Sequence, residues 1–240
     1  MTANRITTQL RRMRRDWDRR ARENARFYVA TLQDQWSDDE FYRSGEATFR
    51  EQILTDLENI CQGRNPREMT VLEIGCGAGR VTRSLARHFG RVYAVDISAE
   101  MVRQARRGLA DFPNVRILRN NGRDLSALRT NWWNRWGIGP RLRLDFAFSC
   151  IVFQHIPNRE IIESYVRDVN RRLRPGGLFK FQVQGSPLVK PNADDTWVGM
   201  PFSERDAREM ASRCGFEMRY HTGAGSQYYW LWFFKEREIR

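Results

Sequence analysis

Val71-Leu72-Glu73-Ile74-Gly75-Cys76-Gly77-Ala78-Gly79-Arg80 is the stretch that decides the fold: an apolar run with one acid, then three glycines on alternate positions. The apolar run predicts a buried strand, and the glycines predict a tight loop that lies against a ligand. Glycine is favoured in such a loop because it adopts positive φ without strain and lets the backbone approach a ligand closely. The sequence therefore predicts a strand followed by a nucleotide-binding loop.

A second apolar run, at residues 91–96, ends in the carboxylate of Asp96. In doubly wound folds, an acid at the end of the second strand binds the hydroxyls of a ribose. The dinucleotide fingerprint G-x-G-x-x-G would require a third glycine at the position that Arg80 occupies. This departure argues against a nicotinamide cofactor.

The spacing of the glycines after Glu73 resembles that of the class I S-adenosylmethionine-dependent methyltransferases, which have a Rossmann-like fold, and in particular those of the small-molecule type. Later blocks in the same order extend the resemblance: a third strand and its loop at residues 114–125, a fourth strand at 144–155, and the turn into a fifth at 173–181. The resemblance implies a doubly wound, mostly parallel α/β sheet of seven strands in the order 3-2-1-4-5-7-6. The last strand is expected to be antiparallel, because two glycines and a serine at residues 222–226 suit a hairpin.

The resemblance also implies the cofactor S-adenosylmethionine, with S-adenosylhomocysteine as the product. The glycine loop would hold the methionine end, Asp96 the ribose, and the residues after the second and third strands the adenine. An aspartate often follows the third strand in this family; here Asn121 aligns with it, and Asp124 is a competing candidate. The predicted cofactor-binding residues are Glu73, Gly75, Cys76, Gly77, Gly79, Asp96, Ile97, Met101, Asn121, Gly122, Cys150 and Ile151.

His155 is the predicted catalytic residue, because it falls just beyond the fourth strand, where the transferred methyl group is expected. An imidazole with an unperturbed pKa of ~6.5 can deprotonate a hydroxyl as it attacks. A role that only shapes the pocket is an open alternative. Methyl transfer from a sulfonium is a direct displacement that depends on positioning, so neither a metal nor a covalent nucleophile is expected.

The chain is expected to divide into an N-terminal helical cap, residues 1–62, and a methyltransferase domain, residues 67–240. Apolar residues recur at steps of three or four between positions 6 and 32, which is typical of a long amphipathic helix. The capping-box pattern at residues 37–40 starts a second helix, which Gly45 is expected to interrupt. Several aromatic residues of the cap are candidates to close over a pocket and exclude water, namely Trp17, Tyr28, Trp36, Phe41 and Tyr42.

Two segments do not fit the minimal fold. One is an insertion between the third and fourth strands that contains Trp132, Trp133 and Trp136, and the other is residues 185–201. Long loops over the carboxyl ends of strands often recognise substrates. The three tryptophans either pack against neighbouring helices or form a substrate lid or partner surface.

The chain carries a formal net charge of +12, and the first 26 residues contain nine arginines. A basic surface attracts nucleic acid, whereas an arginine excess also arises from a GC-rich coding bias. Four scattered cysteines predict free thiols in a reducing cytoplasm. We expect no membrane span and a cytoplasmic location, because no apolar run of 18 residues and no secretory signal is present.

The predicted function is methyl transfer to a small-molecule acceptor, with the hydroxyl of a sugar, a phenol or a secondary metabolite as the favoured target. The (D/N)-P-P-(Y/F) and Pro-Cys motifs of DNA-base methylation are absent from the sequence. One alternative is an RNA methyltransferase that uses the basic N-terminal helix. Another is a non-catalytic protein that binds the cofactor or a partner. The sequence makes no prediction of the oligomeric state.

Overall fold

The computed structural model describes residues 2–128, 142–190, 192 and 195–236. Within these residues, one sheet of seven strands has the order β3-β2-β1-β4-β5-β7-β6, so the predicted order is confirmed. Trp132, Trp133 and Trp136 lie outside the described residues. The strands are β1 (Thr70–Ile74), β2 (Arg91–Asp96), β3 (Val115–Arg119), β4 (Leu144–Ser149), β5 (Leu173–Val183), β6 (Phe216–Thr222) and β7 (Tyr229–Lys235).

The pairing of the strands places the predicted site at the carboxyl ends of the central strands. β1 pairs in parallel with β2 and with β4, and β3 and β5 extend the parallel part on either side. β7 is antiparallel to both β5 and β6, which confirms the expected hairpin. Because β1 lies between β2 and β4, the loops that follow these three strands meet at their carboxyl ends.

Seven α-helices are found in the described part of the chain, besides four single-turn 3-10 helices, and they cover both faces of the sheet. Successive side chains of β1 point to opposite faces of the sheet, as in any β-strand. Val71 packs in a cluster with Leu85, whereas Leu72 packs in a cluster with Ile162. The helices are α1 (Thr2–Val29), α2 (Asp38–Gln52), α3 (Leu57–Cys61), α4 (Thr82–His88), α5 (Ala99–Gly108), α6 (Arg159–Arg172) and α7 (Glu204–Arg213).

Gly45 does not interrupt the second helix, so that prediction is wrong. Helix α2 begins with the expected capping box of Ser37 and Glu40 and continues through Gly45 to Gln52. A Cβ atom at Gly45 would lie 2.0 Å from the carbonyl oxygen of Arg80. The glycine is therefore required by the close approach of α2 to the loop after β1.

Helix α1 lies across the carboxyl ends of the strands, and hydrogen bonds hold it there. The Asp18 carboxylate accepts hydrogen bonds from the Ser98 hydroxyl (2.7 Å) and from the backbone N–H of Glu100 (3.3 Å) at the start of α5. Arg14 donates to the carbonyl oxygen of Asn121. Helix α1 therefore covers the ends of β2 and β3. None of the helices in the described ranges is both long enough and apolar enough to cross a membrane.

Candidate active site

A cavity opens between α1 and the loops at the carboxyl ends of the strands. Its lining combines apolar side chains with a few polar groups, which is typical of a small-molecule site. His155 lines the cavity, as does most of the predicted cofactor set. The members of that set in the lining are Glu73, Gly75, Cys76, Gly77, Asp96, Ile97, Met101, Gly122, Cys150 and Ile151.

Gly79 and Asn121, the other two predicted residues, do not line the cavity. Gly79 faces α5, where an added Cβ would lie 2.9 Å from the Leu109 side chain, and its φ of +91° serves the turn itself. The Asn121 side chain closes a local turn: its amide donates to the Asp124 carboxylate (2.9 Å), and its carbonyl accepts from the backbone N–H of Asp124. Both adenine candidates are therefore engaged with each other, and Asn120 faces the cavity instead.

Asn120 and Tyr165 form a buried polar pair in the cavity wall that the sequence analysis did not identify. The Asn120 amide donates to the Tyr165 hydroxyl (2.8 Å), and its carbonyl accepts from the backbone N–H of Gly122 (3.2 Å). Tyr165 could have been found from the sequence, because it lies in the apolar stripe of α6. A tyrosine hydroxyl that is buried there usually has a hydrogen-bond partner. Nothing in one sequence distinguished Asn120 from its neighbour.

The glycine loop and Asp96 hold each other in place. Gly75 and Gly77 have φ of +74° and +53°, which confirms that the turn needs positive φ. Asp96 accepts hydrogen bonds from the backbone N–H of Gly77 (2.9 Å) and of Ser98 (2.8 Å), one on each carboxylate oxygen. Burial raises the pKa of Asp96 to about 6. Each oxygen retains acceptor capacity, so the carboxylate is oriented to bind further hydroxyl groups.

Glu73 and Arg80 contribute two buried ionisable groups to the same wall. The Thr82 hydroxyl donates to Glu73 Oε2 at 2.5 Å, and burial raises the pKa of Glu73 to about 7. Arg80 Nη1 donates to the carbonyl oxygen of Ser44 (2.9 Å) and to the hydroxyl of Thr48 (3.0 Å) on α2. Arg80 served in the sequence analysis only as evidence against a nicotinamide site, and its place in the wall was missed.

The backbone after β4 bends toward the cavity at Ile151, which has a φ of +56°. This region is unfavourable for a β-branched residue and is tolerated only where the surroundings fix it. The N–H of Ile151 donates to Gln182 Oε1 at 2.9 Å, and this bond holds the bend. Gln182 is therefore a supporting residue of the site that the sequence analysis also missed.

His155 is buried, and its two ring nitrogens have different partners. Nδ1 lies at hydrogen-bond distance from the carbonyl oxygen of Trp197, and Nε2 lies 3.3 Å from the side-chain amide nitrogen of Gln154. A carbonyl only accepts, so the proton is assigned to Nδ1 and the lone pair to Nε2. Burial lowers the pKa of His155 to about 4, so the ring is neutral near pH 7.

An aromatic cluster surrounds His155, formed by Trp17 and Tyr28 of α1 and by Trp197. The Trp17 and Trp197 rings lie 5.4 and 4.8 Å from the imidazole, and Tyr28 lies edge-on to Trp197 at 5.9 Å. The Arg20 guanidinium lies over both tryptophan rings, at 4.9 and 5.1 Å. The cap and the segment of residues 185–201 therefore meet over the predicted catalytic residue.

The cap contributes fewer of its aromatic side chains to the cavity than expected. Trp17 and Tyr28 line it, as predicted. Phe41 instead packs between Trp36 and Tyr42, with ring centroids 6.2 and 5.5 Å away. These three rings pack outside the cavity, in a cluster with Ala78 of the glycine loop and Met101 of α5.

Residues 71–177 match the family model described as a methyltransferase domain. Residues 71–177 therefore resemble a methyltransferase domain, and the observed strand order is the one that the resemblance to class I S-adenosylmethionine-dependent methyltransferases implied. Among solved structures, the magnesium protoporphyrin IX methyltransferase from Synechocystis with bound S-adenosylmethionine has a TM-score of 0.62 at 15% identity, over 95% of this chain and 97% of that one. The predicted cofactor is thus the one bound in a protein of the same fold.

Two curated relatives differ in the reaction that their names give. A ubiquinone biosynthesis O-methyltransferase of Xanthomonas oryzae is 31% identical over 122 residues, which are 50% of this chain and 45% of the relative. A dTDP-3-amino-3,4,6-trideoxy-alpha-D-glucopyranose N,N-dimethyltransferase of Streptomyces venezuelae is 22% identical over 162 residues, 65% of this chain and 59% of the relative. The chain thus spans about half the length of the curated relatives that it matches.

Proposed function

We propose that this protein binds S-adenosylmethionine and transfers its methyl group to a small-molecule acceptor, with S-adenosylhomocysteine as the product. The observation that carries the proposal is the fixed Asp96 carboxylate, which lies at the end of β2 beside the glycine loop and in the wall of the cavity. This is the arrangement that binds ribose hydroxyls in doubly wound folds.

The rest of the cavity wall fits the same cofactor from end to end. Ile97, Met101 and Asn120 border the β2 and β3 side, where an adenine would lie beyond the ribose. Glu73 lies at the end of β1 and is placed to accept a hydrogen bond from an ammonium group. When bound, the cofactor supplies a methyl group activated by the sulfonium charge. The work of the chain is then to hold the acceptor in line with that group and to exclude water.

The acceptor is proposed to be uncharged and apolar or aromatic over much of its surface. Among the described residues, the cap side of the cavity presents Met13, Trp17, Tyr28 and Val29, and none of these is an acidic or a basic residue. An ionic acceptor would lose its hydration there without a partner. We favour a hydroxyl as the methylated group, which agrees with the name of the O-methyltransferase that is 31% identical to this chain.

His155 is proposed to receive the hydroxyl proton. Nε2 carries the lone pair, and in the resting structure it accepts a hydrogen bond from Gln154. Nε2 would exchange this bond for one from the acceptor hydroxyl. It would then take the hydroxyl proton as the hydroxyl oxygen bonds to the methyl carbon and the bond from that carbon to sulfur breaks, leaving its electron pair on sulfur. The bond from Nδ1 to Trp197 keeps the ring oriented throughout.

The direct test is methyl transfer from S-adenosylmethionine to three acceptors of similar size: catechol, cyclohexane-1,2-diol and benzylamine. We expect mass spectrometry to detect a methyl ether of catechol. The Asp96→Asn variant is the control, because a methylated product that it forms at the wild-type rate would not depend on the proposed cofactor site. Methylation of benzylamine alone would contradict the assignment of oxygen as the acceptor atom.

RNA methylation is a second candidate, supported by exposed arginines on the outer face of α1. Arg11 and Arg22 are exposed there, whereas Arg15 and Arg19 lie within 3.6 and 3.8 Å of Asp16 and Glu23. Partial neutralisation by neighbouring acids weakens the attraction for phosphates. This is why we place the small-molecule acceptor first.

A further inference from the structure

Two buried glutamine side chains connect the backbone bend after β4 to His155. The N–H of Ile151 donates to Gln182 Oε1 at 2.9 Å, and Gln182 Nε2 donates to Gln154 Oε1 and to the carbonyl oxygen of Gln227. Nε2 of Gln154 then lies 3.3 Å from Nε2 of His155. Both glutamine side chains are buried. The bend and the imidazole are therefore joined by one continuous chain of hydrogen bonds.

The backbone at the start of this chain fixes the direction of every later bond. A backbone N–H only donates, so Gln182 presents its oxygen to Ile151 and its amide nitrogen to Gln154. The oxygen of Gln154 accepts that bond, which leaves its amide nitrogen to face His155. The Gln227 carbonyl, which only accepts, holds the Gln182 amide in the same orientation. Neither amide can turn over without the loss of a buried hydrogen bond.

The imidazole of His155 thus lies between two partners of fixed and opposite character. Nδ1 faces the carbonyl oxygen of Trp197, which only accepts, and Nε2 faces the amide donor of Gln154. A second proton on Nε2 would point at this donor, and Gln154 cannot turn to accept it while Gln182 holds its oxygen. A hydrogen bond to the neutral form of a group disfavours its charged form. The chain therefore disfavours the imidazolium ion.

The other groups around the ring do not select one of its two nitrogens. Burial lowers the pKa of His155, the hydrogen bond to Trp197 raises it, and the charges of Arg20 on α1 and of Asp195 act in opposite directions. The neutral ring of Trp17 packs edge-on against the imidazole. Burial favours the neutral ring, whereas the choice of the protonated nitrogen is made by the hydrogen bonds.

We propose that Gln154 and Gln182 are positioning residues that keep His155 neutral, with its proton on Nδ1 and its lone pair on Nε2. This inference rests on the proposed function, in which Nε2 receives the proton of the acceptor hydroxyl. The bond from Gln154 is longer, at 3.3 Å, than the other bonds of the chain, so an acceptor hydroxyl can replace it at the least cost. His155 then has the required proton arrangement before the acceptor arrives.

The test is nitrogen-15 NMR of the labelled, ligand-free protein, because protonated and bare ring nitrogens have well-separated shifts. The chain has three histidines, so His155→Ala assigns the signals. The pH titration of His155 is compared in the wild type, Gln182→Met, Gln154→Glu and Gln184→Met. Gln184 is the matched control, because it is buried two positions after Gln182 and its side chain accepts instead from the N–H of Ser186.

In the wild type we expect a protonated Nδ1 and a bare Nε2 between about pH 5 and pH 8. Gln182→Met frees the amide of Gln154 to turn and accept a bond from a protonated Nε2. The midpoint of the His155 titration should then rise by roughly 0.5–1 pH unit, the equivalent of one hydrogen bond. Gln184→Met should leave the midpoint unchanged.

Gln154→Glu preserves the test if Gln182→Met does not fold. A carboxylate in this place still accepts the bond from Gln182 and also favours a proton on Nε2. The midpoint should therefore rise by about 1–3 pH units. Where methyl transfer is observed, the low-pH limb of kcat in Gln154→Glu should move in the same direction and by a similar amount.

Two results would overturn the proposal. One is a wild type with the proton on Nε2. The other is a folded Gln182→Met, or in its absence a folded Gln154→Glu, that titrates like the wild type, which would make the glutamines packing residues only. The NMR titration requires no methyl transfer, so it is independent of the premise. A wild type that methylates none of the three acceptors would contradict the proposed function instead.

Discussion

At the scale of single residues, Asp96 is the residue on which ribose binding depends. Its carboxylate is oriented in advance by the N–H groups of Gly77 and Ser98, so it needs no rearrangement to accept two hydroxyls. Asp96→Ala should weaken binding of S-adenosylhomocysteine by ~100-fold or more, since each bond to a charged group contributes about 1.5–3 kcal/mol. Calorimetry measures the change, with the exposed Asp111→Asn as control. Unchanged affinity in Asp96→Ala would refute the ribose assignment.

The raised pKa values of Asp96 and Glu73 predict that cofactor affinity increases with pH. Both groups accept hydrogen bonds best when ionised, yet burial raises their pKa values to about 6 and about 7 in the free protein. Binding below these values must therefore release protons. We expect the affinity for S-adenosylhomocysteine to rise between about pH 5 and pH 8 and then to level, with proton release detected as a dependence of the binding heat on the buffer. Affinity that falls over this range would contradict the account.

The lowered pKa of His155 predicts a different pH dependence for catalysis. The ring loses its lone pair only when the pH falls toward about 4, so protonation of His155 should not limit the rate between about pH 6 and pH 8. His155→Ala should reduce kcat by ~100-fold and leave the Kd of S-adenosylhomocysteine unchanged, if the ring acts as a base. Steady-state rates and calorimetry separate the two effects. Normal turnover in the variant would leave His155 with a structural role.

Some of the residues in the site could be predicted from the sequence, and others could not. Asp96 could be predicted, because a strand of clear apolar pattern ends on it. The sequence could not show which of Asn120 and Asn121 faces the cavity. That depends on which side chain closes the turn with Asp124, and in the structure it is Asn121. Arg80 was visible only as a missing glycine. Its role depends on the contact with α2, which a single sequence does not contain.

At the scale of secondary-structure elements, the contact between α2 and the glycine loop gives an unusual prediction. Gly45→Ala would normally stabilise a helix by about 0.5–1 kcal/mol. Here the new Cβ would meet the Arg80 carbonyl oxygen at 2.0 Å, so α2 must move away from the loop. We expect a loss of about 1–3 kcal/mol in the free energy of unfolding, measured by urea titration.

Glu46→Ala is the control for Gly45→Ala, because Glu46 is an exposed neighbour in the same helix. It should change the free energy of unfolding by no more than about 0.5 kcal/mol. A more stable Gly45→Ala variant would show that α2 does not press on the loop. The same contact explains the error in the sequence analysis: a glycine inside a helical pattern indicates either a break or a close approach, and only the tertiary structure distinguishes them.

At the scale of the whole molecule, the order of the strands could be predicted because four sequence blocks carry a resemblance to a known family, and that resemblance implies the order. The path of α1 could not be predicted. Its apolar stripe required a partner, but the choice of the carboxyl edge depends on contacts such as Asp18 with Ser98, which lie 80 positions apart. The substrate side of the cavity is built largely by this helix, so the acceptor was the least predictable part of the function.

The net charge of +12 gives a prediction about nucleic acid. If the acceptor is a small molecule, the arginines of α1 form a solvated face, and any binding of RNA should be weak at about 150 mM salt. Filter binding or fluorescence anisotropy with a structured RNA, measured across a range of salt concentrations, tests this. Tight binding that persists at this salt concentration, and that is weakened by Arg11→Gln with Arg22→Gln, would favour the RNA methyltransferase.

The most direct test of the central claim is a calorimetric titration of the wild-type protein with S-adenosylhomocysteine, and in parallel with NAD. The arrangement of Asp96, Glu73 and the glycine loop predicts saturable binding of one S-adenosylhomocysteine per chain with a Kd below ~1 mM, and no binding of NAD in the same range. Absence of S-adenosylhomocysteine binding, or a preference for NAD, would contradict the account.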